Sequence, residues 1–543
     1  MRRSLRSAGG GPWTALAVAI AVPTLLPLLV IAGSFSDIDP AFWSHLRQYV
    51  LVPVVENSLW LVAGVAVLAT ALGTTLAWLT AACEFPGRRV FQWALLLPMA
   101  MPGYVTAFVA IGTLEYAGPV QTALRELAGG EIWFPAIRSR GGVIAVMSLA
   151  LYPYVYLLAR NAFLTQGREA LEAAQVLGMN RRRGFFRVAL PMARPWIAAG
   201  AMLVVMETLA DFGTVAAFNY DTFTTAIYET WFGEQSVNSA LQLSACLLAV
   251  VLLAAVAERR LRGGRAFTGG KAGGRRIVLG RGRWAAAVLA GTVLTLGFVA
   301  PFVQLVLWSA QTWSEEFSSR YLGFAGHSLL LAGSAALLVT TVALLLGYAR
   351  RNASGGPANI LASLATRIAT LGYALPGTVL AVGIFAPLAA LNGLLNTAAR
   401  AVTGTDPGWL VQATLATMLI AYAVRFLAVA HAPVDSNLLR ITEDIDRASK
   451  SLGVAGWSML RRVHAPMLRG GLATALVLVF VDVMKEMPIT LMTRPFGWQT
   501  LATRVFEMTS EGLWERAALP AIAIVLVGLV PVILISRRTT NAF

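Results

Sequence analysis

The chain has 543 residues, of which 57% are hydrophobic and 13% charged, and its mean hydropathy is +0.68. Soluble proteins carry about 25% charged residues, so this composition excludes a soluble multidomain enzyme and a disordered chain alike. The formal net charge of +16 invites a nucleic-acid reading, but the basic residues lie in the short connections of an apolar chain and no folded basic domain exists to carry it.

A membrane span needs about 20 apolar residues in a row. Taken in chain order, such blocks fall near 13–35, 57–82, 90–114, 142–164, 196–218, 239–257, 284–310, 327–349, 360–391, 410–432, 468–492 and 518–536. The expected fold class is therefore an all-α polytopic membrane protein with about twelve transmembrane helices. The first block follows Arg2, Arg3 and Arg6, yet it is too long for a signal-peptide core and carries Pro23 and Pro27, so it reads as a retained helix. Most Lys and Arg fall on one side of the membrane when both termini are cytoplasmic, and the positive-inside rule selects that orientation. Cys83 and Cys246 are too few for a disulfide framework, and His45, His327, His431 and His464 are scattered without ligand spacing.

The chain repeats itself. Asn57-Ser58 returns as His327-Ser328 at an offset of 270, and Pro102-Gly103 returns as Pro376-Gly377 at 274. Gly178, Arg187 and Pro191 return as Gly453, Arg462 and Pro466 at 275. A near-constant shift over the full length marks two homologous six-helix units, 1–257 and 284–543, which run the same way through the membrane because six is even. Residues 258–283 between them are rich in Gly and Arg, without apolar periodicity, and read as a flexible cytoplasmic linker. Its Gly270-Lys271 is no phosphate loop, since Arg265 stands where a glycine is needed and Ala272 where Ser or Thr is needed.

The loop after the fourth helix of each unit, 165–195 and 433–467, has the same layout. Glu169, Glu172, Ala173 and Ala174 precede Gly178 in the first, and Asp446, Arg447, Ala448 and Ser449 precede Gly453 in the second. Each reads as a short amphipathic helix stopped by glycine, followed by a helix that reaches a proline. Glu-Ala-Ala followed four positions later by Gly resembles the EAA loop of binding-protein-dependent ABC importer permeases. The resemblance implies a coupling helix that docks on an ATP-binding subunit, with Glu169, Glu172, Ala173, Ala174 and Gly178 in the first copy and Asp446, Arg447, Ala448, Ser449 and Gly453 in the second. Arg447 departs from the pattern, standing where the glutamate belongs.

Asp482 to Gly497, followed by Leu501 to Glu507, is similar to fused permeases of ferric-iron importers, as is Leu209-Ala-Asp211-Phe-Gly213. Fused thiamine and phosphonate permeases share that architecture. The resemblance implies a transporter subunit rather than an enzyme, placed in the bacterial inner membrane. It implies two ATP-binding subunits on the cytoplasmic side, which hold ATP and Mg, and a periplasmic substrate-binding protein; this chain would bind no cofactor, no static metal and no nucleic acid. The rival class is a gradient-driven secondary transporter: Gly87-Arg88-Arg89 after the second helix is similar to the basic loop of major-facilitator carriers, but the acidic part of that motif is missing.

Charges at membrane depth cost at least about 2.5–3.5 kcal/mol and need a reason. At the 275 offset Glu207 maps onto Asp482 and Asp211 onto Glu486, two i, i+4 pairs on the fifth and eleventh helices. One reading places these four acids along the translocation pathway, with transient ferric contacts at Asp211 and Glu486, because carboxylates suit hard cations. The other makes them structural, with Lys485 neutralising Glu486 and Arg425 pairing with Asp482. Pro98, Pro102-Gly103 and Pro376-Gly377 predict kinks in the third and ninth helices. Outer loops 115–141, 219–238, 392–409 and 493–517 are the expected docking surface for the binding protein, with Arg125, Arg138, Arg140 and Arg494 as either its anchors or plain solvated charge.

Overall fold

The computed structural model describes residues 11–165, 174, 179–233, 236–262, 277–353, 356–405, 408 and 410–540. Helices dominate it. In chain order they are α1 Gly11–Gly33, α2 Pro40–Ala82, α3 Arg88–Ala94, α4 Gly103–Leu114, α5 Pro119–Ala128, α6 Arg140–Thr165, α7 Phe185–Ala210, α8 Gly213–Phe218, α9 Phe223–Phe232 and α10 Val237–Arg262. There follow α11 Gly282–Glu316, α12 Ser319–Asn352, α13 Gly356–Ala369, α14 Gly377–Thr403, α15 Leu415–Leu438 and α16 Glu443–Ser451. The last are α17 Gly456–Met467, α18 Arg469–Lys485, α19 Pro488–Thr493, α20 Leu501–Ser510 and α21 Ala518–Thr540. A two-residue parallel pair, β1 Cys83–Glu84 with β2 Ile277–Val278, is the extended structure among the described residues.

Nine of the described helices are long and apolar enough to cross a membrane, or eleven when each of two sharply bent pairs counts as one span, and Ala518–Leu534 is a shorter apolar helix. The polytopic all-α class therefore holds. Four spans are interrupted, the third and ninth at the expected Pro-Gly breaks and the fifth and eleventh where continuous helices were expected. The third is bent by 91° between Arg88–Ala100 and Gly103–Ala128. The proline at 102 supplies no N–H and takes extended φ/ψ of −58° and 146°, so the ladder ends there. The ninth divides likewise at Pro376 into α13 and α14. The fifth and eleventh stop early, at Ala210 and Lys485, and each is followed by a six-residue helix, α8 or α19. The residues expected as a linker are in part structured: α10 continues to Arg262, and α11 begins at Gly282.

The compact units cut across the sequence repeat. One unit comprises Met1–Phe42, Ile227–Cys246 and Ser319–Arg504; the other comprises Trp43–Ala226, Leu247–Ser318 and Val505–Phe543. In the former, α1 lies against α12, α13 and α14, and α12 packs on α15 and α18. Ile31 of α1 is fully buried there, and a Cβ on Gly383 of α14 would come within 2.8 Å of it. In the latter, α2 packs on α6 and α7, while α11 lies against α21 and α4. Each repeat thus lends its first span to the compact unit built mainly from the other repeat.

Candidate functional site

The second loop carries its helix as expected. α16 has nine residues, with Glu443, Asp444 and Asp446 in the first turn and Lys450 in the last, both favourable to the helix dipole. Gly453 closes it with φ of 77°, a left-handed conformation that glycine adopts without penalty. The backbone N–H of Val454 donates to Ser449 O at 2.9 Å and that of Gly453 to Lys450 O at 3.1 Å, the two bonds of a Schellman cap. In the first loop the N–H of Met179 donates to Ala174 O at 3.0 Å, the same bond shifted by 275 residues, and Ala174 is buried like Ser449. Glu169, Glu172, Ala173 and Gly178 lie outside the described residues.

A helix of nine residues is too short to hold its shape alone. Asp446 fastens this one. Its Oδ2 accepts from Arg351 Nε at 3.1 Å and lies 3.0 Å from Arg351 Nη2, and its Oδ1 accepts from His464 Nε2 at 2.9 Å. Arg351, at the end of α12, also donates to the carbonyls of Leu438 and Ile441, each at 2.8 Å. Tyr348, one turn earlier, donates to Gly456 O at 2.8 Å and meets the His464 ring edge-on at 5.5 Å. Arg447 turns the other way: it is 72% exposed and pairs with Glu443 at 3.4 Å and Asp444 at 3.5 Å. Ala448 is exposed, and Leu439, Leu452 and Trp457 around the helix leave large apolar side chains uncovered.

The acids at 211 and 486 sit at the broken ends of spans. Asp211 follows the last residue of α7 with extended ψ of 132° and caps α8. Its Oδ2 accepts the N–H groups of Thr214 at 2.9 Å and Val215 at 3.1 Å, and its Oδ1 accepts the Thr214 hydroxyl at 2.9 Å. Glu486 follows α18 in the same way, with ψ of 121°, and its Oε1 accepts the N–H of Ile489 at 2.9 Å. The helix therefore ends before either acid, and Asp211 and Glu486 do not continue the helical faces of Glu207 and Asp482. A carboxylate that satisfies the first amides of the next helix holds the chain out of the α-conformation. Arg425 pairs with Glu486 at 3.5 Å rather than with Asp482, and donates to Leu375 O at 2.7 Å.

The repeated Pro-Gly breaks pack on these acids. A Cβ on Gly103 would lie 2.7 Å from Thr214 Oγ1 and 3.4 Å from Asp211 Oδ1. A Cβ on Gly377 would lie 2.9 Å from Pro488 Cγ and 3.0 Å from Glu486 Oε1. Each acid thus stands where two helices begin, α4 and α8 in one unit, α14 and α19 in the other, and negative charge is favoured at such starts.

Sequence reading missed a further matched pair. Thr222 and Thr225 open α9 with the Thr222 N–H donating to Thr225 Oγ1 at 2.8 Å, and the Phe223 N–H reaches Ser58 Oγ at 3.4 Å. Thr500 and Thr503 open α20 identically at 2.9 Å, and the Leu501 N–H donates to Ser328 Oγ at 2.8 Å. The repeat of Ser58 as Ser328 was visible; the recurrence of Thr-x-x-Thr at an offset of 278 was the signal for the rest.

Of the arginines expected at a docking surface, Arg125, Arg138 and Arg140 make contacts within the chain. Arg138 pairs with Glu115 and donates to Ala217 O at 2.8 Å, and Arg140 pairs with Glu56 at 3.2 Å. Arg125 donates to Tyr116 O at 2.8 Å and stacks on the Tyr116 ring at 4.1 Å. Beside Arg138 opens a groove of about 620 Å³ lined by Asn219, Thr509, Glu511 and Trp514 among others. Among the described residues, no group of three or more His, Cys, Asp or Glu stands close enough to hold a metal ion.

The chain is 25% identical over 539 residues to the Fe(3+)-transport system permease protein FbpB 2 of Haemophilus influenzae, covering 96% of this chain and 97% of that protein. It is 24% identical to the putative ferric transport system permease protein FbpB 1 of the same organism, over 81% of this chain and 70% of the relative. The molybdate/tungstate transport system permease protein WtpB of Thermococcus kodakarensis is 26% identical over 38% of this chain and 75% of its own length. The profile of the binding-protein-dependent transport system inner membrane components matches twice, at residues 71–262 and 353–539, so that each match contains one of the two repeated loops and one acid-capped break. With most of its length accounted for by that doubled match, the chain belongs to the family of binding-protein-dependent transport system inner membrane components.

Proposed function

We propose that this chain is the membrane subunit of an importer that delivers ferric iron from a periplasmic binding protein to the cytoplasm by ATP-driven alternating access. The observation that carries the cargo is the 25% identity to a ferric permease sustained over 96% of this chain and 97% of the relative, through both repeats. The WtpB match covers only 38% of this chain. Two ATP-binding subunits hydrolyse ATP on the cytoplasmic side, where the basic loops and both termini lie. They engage the loop around Glu169, Glu172, Ala173, Ala174 and Gly178 and its counterpart at Asp446, Arg447, Ala448, Ser449 and Gly453. The exposed Leu439, Leu452 and Trp457 support docking at the second loop, since large apolar side chains left uncovered in one place mark interaction surfaces.

The carboxylates of Glu207, Asp211, Asp482 and Glu486 contribute to the cargo route as hard oxygen ligands. Asp211 and Glu486 also hold the helix breaks, and Arg425 offsets the charge of Glu486, which makes Asp211 the stronger candidate for ferric contact.

The test is ATP hydrolysis and uptake by the chain reconstituted with its ATPase and binding protein in proteoliposomes. The binding protein is supplied empty or loaded with ferric iron, molybdate or thiamine. Stimulation by the ferric form, with radioiron accumulating inside, is the expected result. Stimulation by molybdate or thiamine and none by iron overturns the cargo, and uptake that follows an ion gradient without ATP overturns the mechanism.

A further inference from the structure

The cluster beneath α16 belongs to one repeat only. Asp446, Arg351 and His464 come from three elements, α16, α12 and α17, and are largely withdrawn from solvent, with side chains 19%, 18% and 0% exposed. At the repeat offsets of 275 and 270 the first copy has Leu171, Ala189 and Ala81 in these places, so all three polar partners are missing there together. Residues that appear as a set and are absent as a set form one device.

Its geometry is that of a clamp. Asp446 is held through both oxygens from two directions, by Arg351 at 3.0 Å and by His464 at 2.9 Å. The same guanidinium closes on the carbonyls of Leu438 and Ile441, so the chain leaving α15 is tied to the point that fixes α16. Tyr348 completes it by holding Gly456, the first residue of α17. Buried ionic clusters add little net stability compared with apolar packing, because desolvation offsets the attraction, but their directional bonds define one geometry. Arg351 sits at the end of a 34-residue helix, a continuous rod of about 50 Å.

We infer that Arg351 and His464 are positioning residues which lock α16 to the end of α12, so that displacement of α16 by an ATPase subunit moves α12 with it. The first repeat has no charges at the corresponding positions, so the two loops transmit motion differently, the second as a stiff link. This inference rests on the reading of α16 as the coupling helix.

The experiment uses the full chain co-purified with its ATPase in nanodiscs, with Cys83 and Cys246 replaced by serine. Spin labels are placed at Ser451 on α16 and Thr341 on α12, both exposed. In the wild type, the distance distribution is narrow and the same in nucleotide-free and vanadate-trapped states. In Asp446→Asn, and in the triple variant Arg351→Ala, Asp446→Leu, His464→Ala, it broadens and shifts between the states. The triple variant installs the apolar residues of the first copy and leaves no buried charge uncompensated, so it guards against misfolding of the single one. In proteoliposomes supplied with the ferric-loaded binding protein, radioiron delivered per ATP falls about tenfold in both, within the usual range of coupling between sites. A wild-type distance that changes with nucleotide, or a triple variant as narrow and invariant as the wild type, overturns the clamp. Absence of radioiron transport by the wild type would refute the cargo alone and leave the distance measurement to decide. Failure of the ATPase to associate would overturn the coupling reading and this inference with it.

Discussion

Replacing Arg425 by methionine should destabilise the protein far more than replacing Arg425 and Glu486 together. The two charges are 3.5 Å apart with side chains 13% and 7% exposed. At an effective dielectric constant of about 20, their attraction is roughly 5 kcal/mol. Arg425→Met removes that attraction and the 2.7 Å bond to Leu375 O, and leaves Glu486 charged and buried. Breaking one side of a buried pair costs about 3–5 kcal/mol. In Arg425→Met with Glu486→Gln the glutamine carbonyl still accepts the Ile489 N–H, and no buried charge remains, so the cost falls to about 1–2 kcal/mol. A double-mutant cycle measured by reversible unfolding in mixed detergent micelles should therefore return an interaction of at least about 2 kcal/mol. A cost below about 1 kcal/mol for Arg425→Met, or strict additivity in the double variant, would refute the assignment of Arg425 to Glu486.

Three further outcomes follow from the surroundings of single residues. Gly377→Ala should cost about 1–3 kcal/mol, because the new methyl group meets the rigid Pro488 ring at 2.9 Å and the fixed Glu486 carboxylate at 3.0 Å. Gly333→Ala on α12, with nothing within 4 Å, should be neutral or stabilising by up to about 1 kcal/mol in the same unfolding assay. Ser328→Ala should cost about 1–3 kcal/mol, since it orphans the buried N–H of Leu501, whereas Ser58→Ala should cost less, its bond to Phe223 being 3.4 Å rather than 2.8 Å. Equal losses for the two serines by hydrogen exchange at the starts of α9 and α20 would contradict that ranking.

The Pro-Gly repeats were legible as breaks, because proline's missing N–H is a local property that needs no partner. Gly453 was legible as a helix stop for the same reason, and the structure places it in the left-handed region at φ of 77°. The ends of α7 and α18 were not legible. Their apolar blocks run on through 218 and 492, and the stop comes from carboxylates that bond to amides three and four residues ahead. Pairing of Arg425 was misassigned between Asp482 and Glu486 because spacing along one helix says nothing about which acid lies opposite on another. His464 and Asp446 replace Ala189 and Leu171 of the first copy, a difference the sequence reading passed over, and nothing in their spacing points to Arg351, 95 residues before Asp446 in the chain.

By itself the sequence determined the class of the protein, its apolar blocks and its duplication. These follow from local chemistry: a bilayer demands long apolar helices whatever their neighbours, and an internal repeat is self-evident once the offset is found. Tertiary structure decided which span joins which compact unit, where the fifth and eleventh helices end, and which charges are satisfied. Those outcomes depend on side chains distant in sequence meeting at 3 Å, as Arg351 meets Asp446, and a buried charge is settled by the partner it finds rather than by its own position in the chain.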